Sequence, residues 1–212
     1  YAVGIGVSFV NSCTVLNLPA TYRLFGDGSV LTKQVSASAT GIQLAGGIVK
    51  IANSDILQSR PLFVEQGATF DLNGNTHLGS LTLNGGKLTN TGNTIGTNEQ
   101  QLRNLVLTAD SEIEVNDGHV FHLINGNYAL QTLTLNGHTL TKSGTGKMQW
   151  CNVSPDGGTI TVTGGILLMR AGGQAENGTD HATDTCTLTA VTLEKNGGEI
   201  QITRNYALAD TV

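Results

Sequence analysis

The densest run of ligand-type residues lies between Gly172 and Cys186, where Glu176, Asp180 and Asp184 fall together with Asn177 and His181. Carboxylates gathered in one loop offer the hard oxygen donors that calcium takes, so Glu176, Asp180 and Asp184 are the candidate metal ligands. Their spacing follows no EF-hand loop, and a solvated insertion between strands uses the same residue types. A second acidic group is Glu112, Glu114 and Asp117. Glu112 and Glu114 share one face if the segment is a strand. Paired carboxylates are what glycoside hydrolysis needs, although an outer strand face shows the same alternation with no chemistry attached. His119 and His122 would point to opposite faces of one strand. In Gly144-Thr145-Gly146-Lys147-Met148 the residue after lysine is Met, and position 141 is Thr rather than Gly. A phosphate loop requires a hydroxyl residue and a glycine there, so phosphate binding is not expected. Thr-x-Thr triplets recur at Thr132, Thr139, Thr159 and Thr187. Flat threonine ladders can bind ice, but threonine is a favoured residue on any half-exposed strand face.

Composition narrows the partners. Of 212 residues, 13% are charged and 5% aromatic, and the formal net charge is −5 with the basic residues scattered. A nucleic-acid surface normally carries a basic patch, so none is expected. No apolar run approaches the ~20 residues that span a bilayer, so no transmembrane segment is expected either. Trp150 stands alone as a sugar-stacking candidate, far in sequence from Phe121, Tyr128 and Tyr206. The three cysteines, Cys13, Cys151 and Cys186, form no Cys-x-x-Cys pair, which argues against a zinc site. In an oxidising compartment Cys151 and Cys186 are the candidate disulfide, with three separate buried thiols as the other reading. Calcium apart, no cofactor is expected.

These groups must be held by strands. Ile113 and Val115 alternate with Glu112 and Glu114, and Ile160 and Val162 with Thr159, Thr161 and Thr163; a period of two is the strand signature. Only Asn98 to Asn104 has a spacing that would suit a helical turn. The turn residues recur in register: Leu72-Asn73-Gly74 and Leu83-Asn84-Gly85 return 52 residues later as Ile124-Asn125-Gly126 and Leu135-Asn136-Gly137 (124 − 72 = 135 − 83 = 52). Fixed internal periods mark repeat architectures. Asn73, Gly74, Asn84, Gly85, Asn125, Gly126, Asn136 and Gly137 are therefore expected at left-handed corners, where glycine and asparagine pay the least steric penalty. Aligning Leu81, Leu105, Leu133, Ile160 and Val191 gives steps of 24, 28, 27 and 31 residues. The expected fold is all-β: a right-handed parallel β-helix, or solenoid, of roughly 24–31 residues per coil. The alternative is an antiparallel β-sandwich with Asn-Gly hairpins.

The run Leu133-Thr134-Leu135-Asn136-Gly137-His138-Thr139-Leu140-Thr141-Lys142, with its partial copy from Leu81 to Thr89, resembles the autotransporter-associated β-strand repeats of bacterial surface proteins. The likeness covers roughly residues 67 to 203 and implies a right-handed parallel β-helix passenger. Two regions are expected: 1–66, an N-terminal β region with a capping or inter-subunit role, and 67–212, the repeats. The corresponding function is an extracellular, cell-surface structural or adhesive protein. Exposed terminal coils would let it self-associate into a filament, and host or surface glycans are the other expected partners. A polysaccharide lyase or glycoside hydrolase of β-helix type, and a non-catalytic glycan-binding module, are the competing readings.

Overall fold

The computed structural model describes residues 2–5, 20–35, 39–92, 102–124, 130–171, 186–203 and 206–208. They form strands and turns, with no helix among them. In chain order the strands are β1 (Ala2–Ile5), β2 (Ala20–Leu31), β3 (Ala39–Ile51), β4 (Leu62–Glu65), β5 (Ala68–Asp71) and β6 (His77–Asn84). There follow β7 (Lys87–Thr89), β8 (Leu102–Ala109), β9 (Ser111–Glu114), β10 (Val120–Ile124), β11 (Gln131–Thr134) and β12 (Thr139–Ser143). The last six are β13 (Lys147–Cys151), β14 (Val153–Val162), β15 (Ile166–Arg170), β16 (Cys186–Lys195), β17 (Glu199–Thr203) and β18 (Tyr206–Leu208). No helix among the described residues is long and apolar enough to cross a membrane. Of the stretch Asn98 to Asn104 that would suit a helical turn, residues 102–104 begin β8 and residues 98–101 lie outside the described residues.

Pairings between these strands are all parallel, and among the described residues the one antiparallel contact is an isolated bridge between Glu65 and Gly85. This sets aside the antiparallel sandwich. Parallel neighbours cannot be joined by tight hairpins, so each strand pairs with one a full step further along the chain. The pairings sort into three ladders. The first takes Leu62 to Leu81 and Leu105, then Val106 to Thr134. The second takes Thr69 to Lys87, Glu112, Thr141 and Thr161. The third takes Phe121 to Met148, Leu167 and Ile200. Steps range from 18 residues (Thr69 to Lys87, 87 − 69) to 33 (Asp156 to Thr189, 189 − 156), a wider spread than the expected 24–31.

Two of the expected alignments hold and two shift. Leu81 pairs with Leu105, and Val106 with Thr134, so the 52-residue repeat is two steps of the first ladder (24 + 28). Leu133, however, faces Pro155, while Ile160 belongs to the second ladder opposite Leu140 and Leu193. Both alignments satisfy the apolar alternation. The difference is that β14 and β16 run through a corner without breaking, so each strand serves two ladders.

Left-handed residues mark those corners. Between the first and second ladders stand Gly47, Gly67, Gly85, Gly137, Gly157 and Ala190. Between the second and third stand Gly74, Gly118, Gly144, Gly165 and Gly197, and Asn104 and Asn152 lead into the first. A corner bends the chain from one ladder into the next within one or two residues, and the left-handed conformation supplies that bend at a cost of about 1–2 kcal/mol for a residue with a Cβ.

Between the ladders lies a continuous apolar interior that includes Leu24, Leu44, Leu62, Leu81, Leu105 and Leu133, each 1% exposed or less. Burial of such a side chain contributes about 1.5–3 kcal/mol. The same pairing continues from β3 into β4 and β5, on either side of residue 66.

His77 sits in this interior, 1% exposed, with its ring edge-on to Phe70 at 5.9 Å. Burial lowers its pKa to about 4, against weaker pulls upward from the backbone of Ser80 and Arg60. An unfolded chain protonates this histidine near 6.5 and the folded one resists until about 4, so its contribution is complete above 6.5 and is lost as pH falls through that window. The expected loss between pH 7 and pH 4 is about 3 kcal/mol. Denaturant titrations at both pH values should show a smaller acid loss in His77→Leu; an identical loss in the variant would show that His77 is not the acid-sensitive group.

Candidate functional site

The outward side chains of the second ladder form the most chemically varied surface among the described residues. Strand alternation sends Phe70, Leu88, Ile113 and Leu140 inward and their neighbours outward. One outward row is Ile48, Thr69, Lys87, Glu112, Thr141 and Thr161; beside it runs Lys50, Asp71, Thr89, Glu114 and Ser143.

Charges on this face are paired. Lys87 Nζ lies 3.1 Å from Glu112 and 3.0 Å from Glu114. Burial alone would lower this ammonium, but the hydrogen bonds and charges of Glu114 and Glu112 outweigh it and hold the pKa above the ordinary lysine value. Ser143 Oγ donates a hydrogen bond to Glu112. Asp71, fully buried, accepts from the backbone N–H of Asn73 and Thr91 at 2.8 and 2.9 Å, accepts from the Thr91 hydroxyl and meets Lys50 Nζ at 3.4 Å. Glu112 and Glu114 thus do share a face, but both are committed to one lysine. Asp117 is in the exposed turn before β10. His119 is off the strand with Nδ1 3.1 Å from the Asn90 carbonyl, and His122 is buried on β10.

Two depressions open on this face. The larger, about 550 Å³, lies over Gly85, Gly86 and Ala68, where side chains are small or missing, and is bordered by Lys87, Asp110 and Glu112. The smaller, about 300 Å³, is lined by Ile48, Lys50, Asp71, Lys87, Thr89 and Glu114, with Thr69, Thr91 and Asn116 at its edge.

Lys142, a charged residue among polar neighbours in its repeat, faces inward. It lies on β12 between buried neighbours, Ile113 on one side and Val162 on the other, and is itself fully buried. Its Nζ donates to the carbonyls of Ser143, Gly144, Gly146 and Gly164 at 2.8–2.9 Å. The glycine-rich segment after it is therefore a carbonyl cage for this ammonium. Burial lowers the pKa to about 8. Sequence carried a signal for this: period-two alternation that sends Leu140 inward sends Lys142 the same way.

The remaining candidate residues distribute as follows. Asn73 with Gly74 and Asn136 with Gly137 have positive φ, 49° with 81° and 52° with 81°. Gly85 is left-handed at 81°, whereas Asn84 is not and ends β6 as a strand residue. Asn84 bridges strands instead: Nδ2 donates to Glu65 at 2.6 Å, and Oδ1 accepts from Thr108 at 3.1 Å. Cys151 and Cys186 are both buried, with no disulfide bond between them. Burial pushes the Cys151 thiol pKa up, although Gln149 and Arg170 pull it down. Trp150 and Phe121 are core residues, which removes them as sugar-stacking surfaces. Asn125, Gly126, Glu176, Asp180, Asp184 and Tyr128 lie outside the described residues. Among the described residues no cluster of three or more His, Cys, Asp or Glu side chains is placed to hold a metal.

No family model, no curated protein and no solved structure matches this chain. The resemblance to autotransporter-associated repeats rests on the quoted residues alone.

Proposed function

We propose that this chain is an extracellular structural or adhesive element whose three ladders wind as a right-handed parallel β-helix. The observation that carries the reading is the confinement of nearly every left-handed residue to the three corners between ladders, with apolar rows beneath them that Lys142 interrupts between Ile113 and Val162. Such an object lengthens by adding rungs and presents long flat faces, which suits a stalk or an adhesive surface. The right hand follows from the near-universal sense of parallel crossovers. The likeness to autotransporter-associated repeats supports a bacterial cell-surface setting, and self-association would proceed rung upon rung.

The hydrolase or lyase reading finds less support, since Glu112 and Glu114 are both tied to Lys87 and a carboxylate pair working as acid and base needs different environments.

Negative-stain electron microscopy across a concentration series tests the proposal. Rods of constant width are expected, joining end to end as concentration rises if the chain is a filament subunit. Compact, equant particles at every concentration would overturn the elongated reading, and rods that stay single would remove the filament and keep the stalk.

A further inference from the structure

We propose that the smaller depression on the second ladder is a binding subsite for one uncharged hexose unit, a reading that deepens the adhesive branch of the proposed function. Its floor is Thr89, which is 6% exposed and whose Oγ1 has no hydrogen-bond partner. A buried hydroxyl left without a partner costs about 1–3 kcal/mol, and this one lines a pocket of about 300 Å³. Register places Asp71 one rung to one side of Thr89 and Glu114 one rung to the other.

Charge decides the ligand class. Lys50 and Lys87 bring two positive charges to the pocket lining and Asp71 and Glu114 two negative ones; Lys50 is paired with Asp71 at 3.4 Å, and Lys87 with Glu114 at 3.0 Å and with Glu112, just outside the lining, at 3.1 Å. The balanced lining favours neither an anion nor a cation. It suits a ligand whose groups both donate and accept: a sugar hydroxyl can donate to a carboxylate while accepting from an ammonium or from Thr89. Ile48 forms one wall and is 44% exposed, giving an apolar surface for the C–H face of a pyranose ring. The volume is at the low end of ligand pockets, ~300–1,000 Å³, which points to a single ring.

The test is saturation-transfer NMR and calorimetry on the whole chain with glucose, galactose and mannose, alongside glucosamine and galacturonate. At least one neutral hexose should bind saturably with a dissociation constant of about 1–10 mM, the weak range suited to multivalent adhesion. Thr89→Val keeps the side-chain shape and removes the hydroxyl; affinity should fall at least tenfold. Ile48→Glu alters only the exposed wall and should lower affinity by a similar factor should Thr89→Val fail to fold. No saturable binding by any neutral hexose, unchanged affinity in a folded variant, or tenfold tighter binding of glucosamine or galacturonate would each overturn the subsite. Rods in the microscope with no hexose binding would sink this inference and leave the structural reading standing.

Discussion

Replacing Lys142 with methionine is expected to lower the unfolding free energy by about 1–3 kcal/mol, the cost of leaving buried carbonyls without their donor. The side chain is fully buried and its ammonium serves four carbonyls, from Ser143, Gly144, Gly146 and Gly164. Methionine fills much of the same volume but donates nothing, so those oxygens lose a charged donor in a largely buried place. One of the carbonyls belongs to the last residue of β12, two to the corner after it and the fourth to the corner after β14. The damage should therefore spread to both rungs. Denaturant unfolding monitored by circular dichroism gives the number, with Lys147→Met as the control. Lys147 lies on the same corner but is only half-buried, and its loss should cost within about 0.5 kcal/mol. A Lys142→Met protein as stable as the wild type would mean that the cage carbonyls find other donors and that the ammonium is not what holds the corners together.

The second large effect concerns glycine, and it separates two reasons for the same residue. Gly47 and Gly137 both turn the chain from the first ladder to the second with positive φ, 67° and 81°. A Cβ on Gly137 would meet nothing within 4 Å, whereas one on Gly47 would lie 1.8 Å from the Gly26 carbonyl oxygen. Gly137→Ala should therefore cost only the conformational penalty, about 1–2 kcal/mol. Gly47→Ala adds a collision with the backbone of the neighbouring rung, which must move apart, and should cost about 4 kcal/mol, among the largest single-residue effects. Melting curves of the two variants, measured side by side, check the ordering. Equal losses would show that space at the corner is irrelevant and that the backbone angle alone selects glycine.

Corner chemistry was the most legible feature of this chain. A left-handed residue is needed wherever the backbone bends between ladders, and only glycine and asparagine adopt that conformation cheaply, so the pattern is written directly in residue types. Asn73, Gly74, Asn136 and Gly137 illustrate it. Asn84 shows the limit of the rule, because the same Asn-Gly pair also serves where asparagine ends a strand and its amide bridges Glu65 and Thr108. The inward rows of leucine and isoleucine were equally readable from alternation of period two, and Lys142 was hidden only because its charge argued louder than its position.

Register was the part that the sequence left open. Shifting Ile160 from Leu133 to Leu140 keeps every apolar residue inside, so local patterning has no preference between the two alignments. What decides is the length of chain that each corner consumes and the fit of whole rungs against one another. The same is true of the polar face. Asp71, Thr89 and Glu114 are far apart in sequence and ordinary in type, and parallel stacking alone brings them level on consecutive rungs. By itself, then, the sequence determined that the chain is built of short strands joined at glycine and asparagine corners, because backbone sterics and side-chain alternation act within a few residues. Only the tertiary structure decided that the pairing is parallel, which rung meets which, that Lys142 is caged and that Thr89 lacks a partner, because these depend on contacts between residues a full step apart.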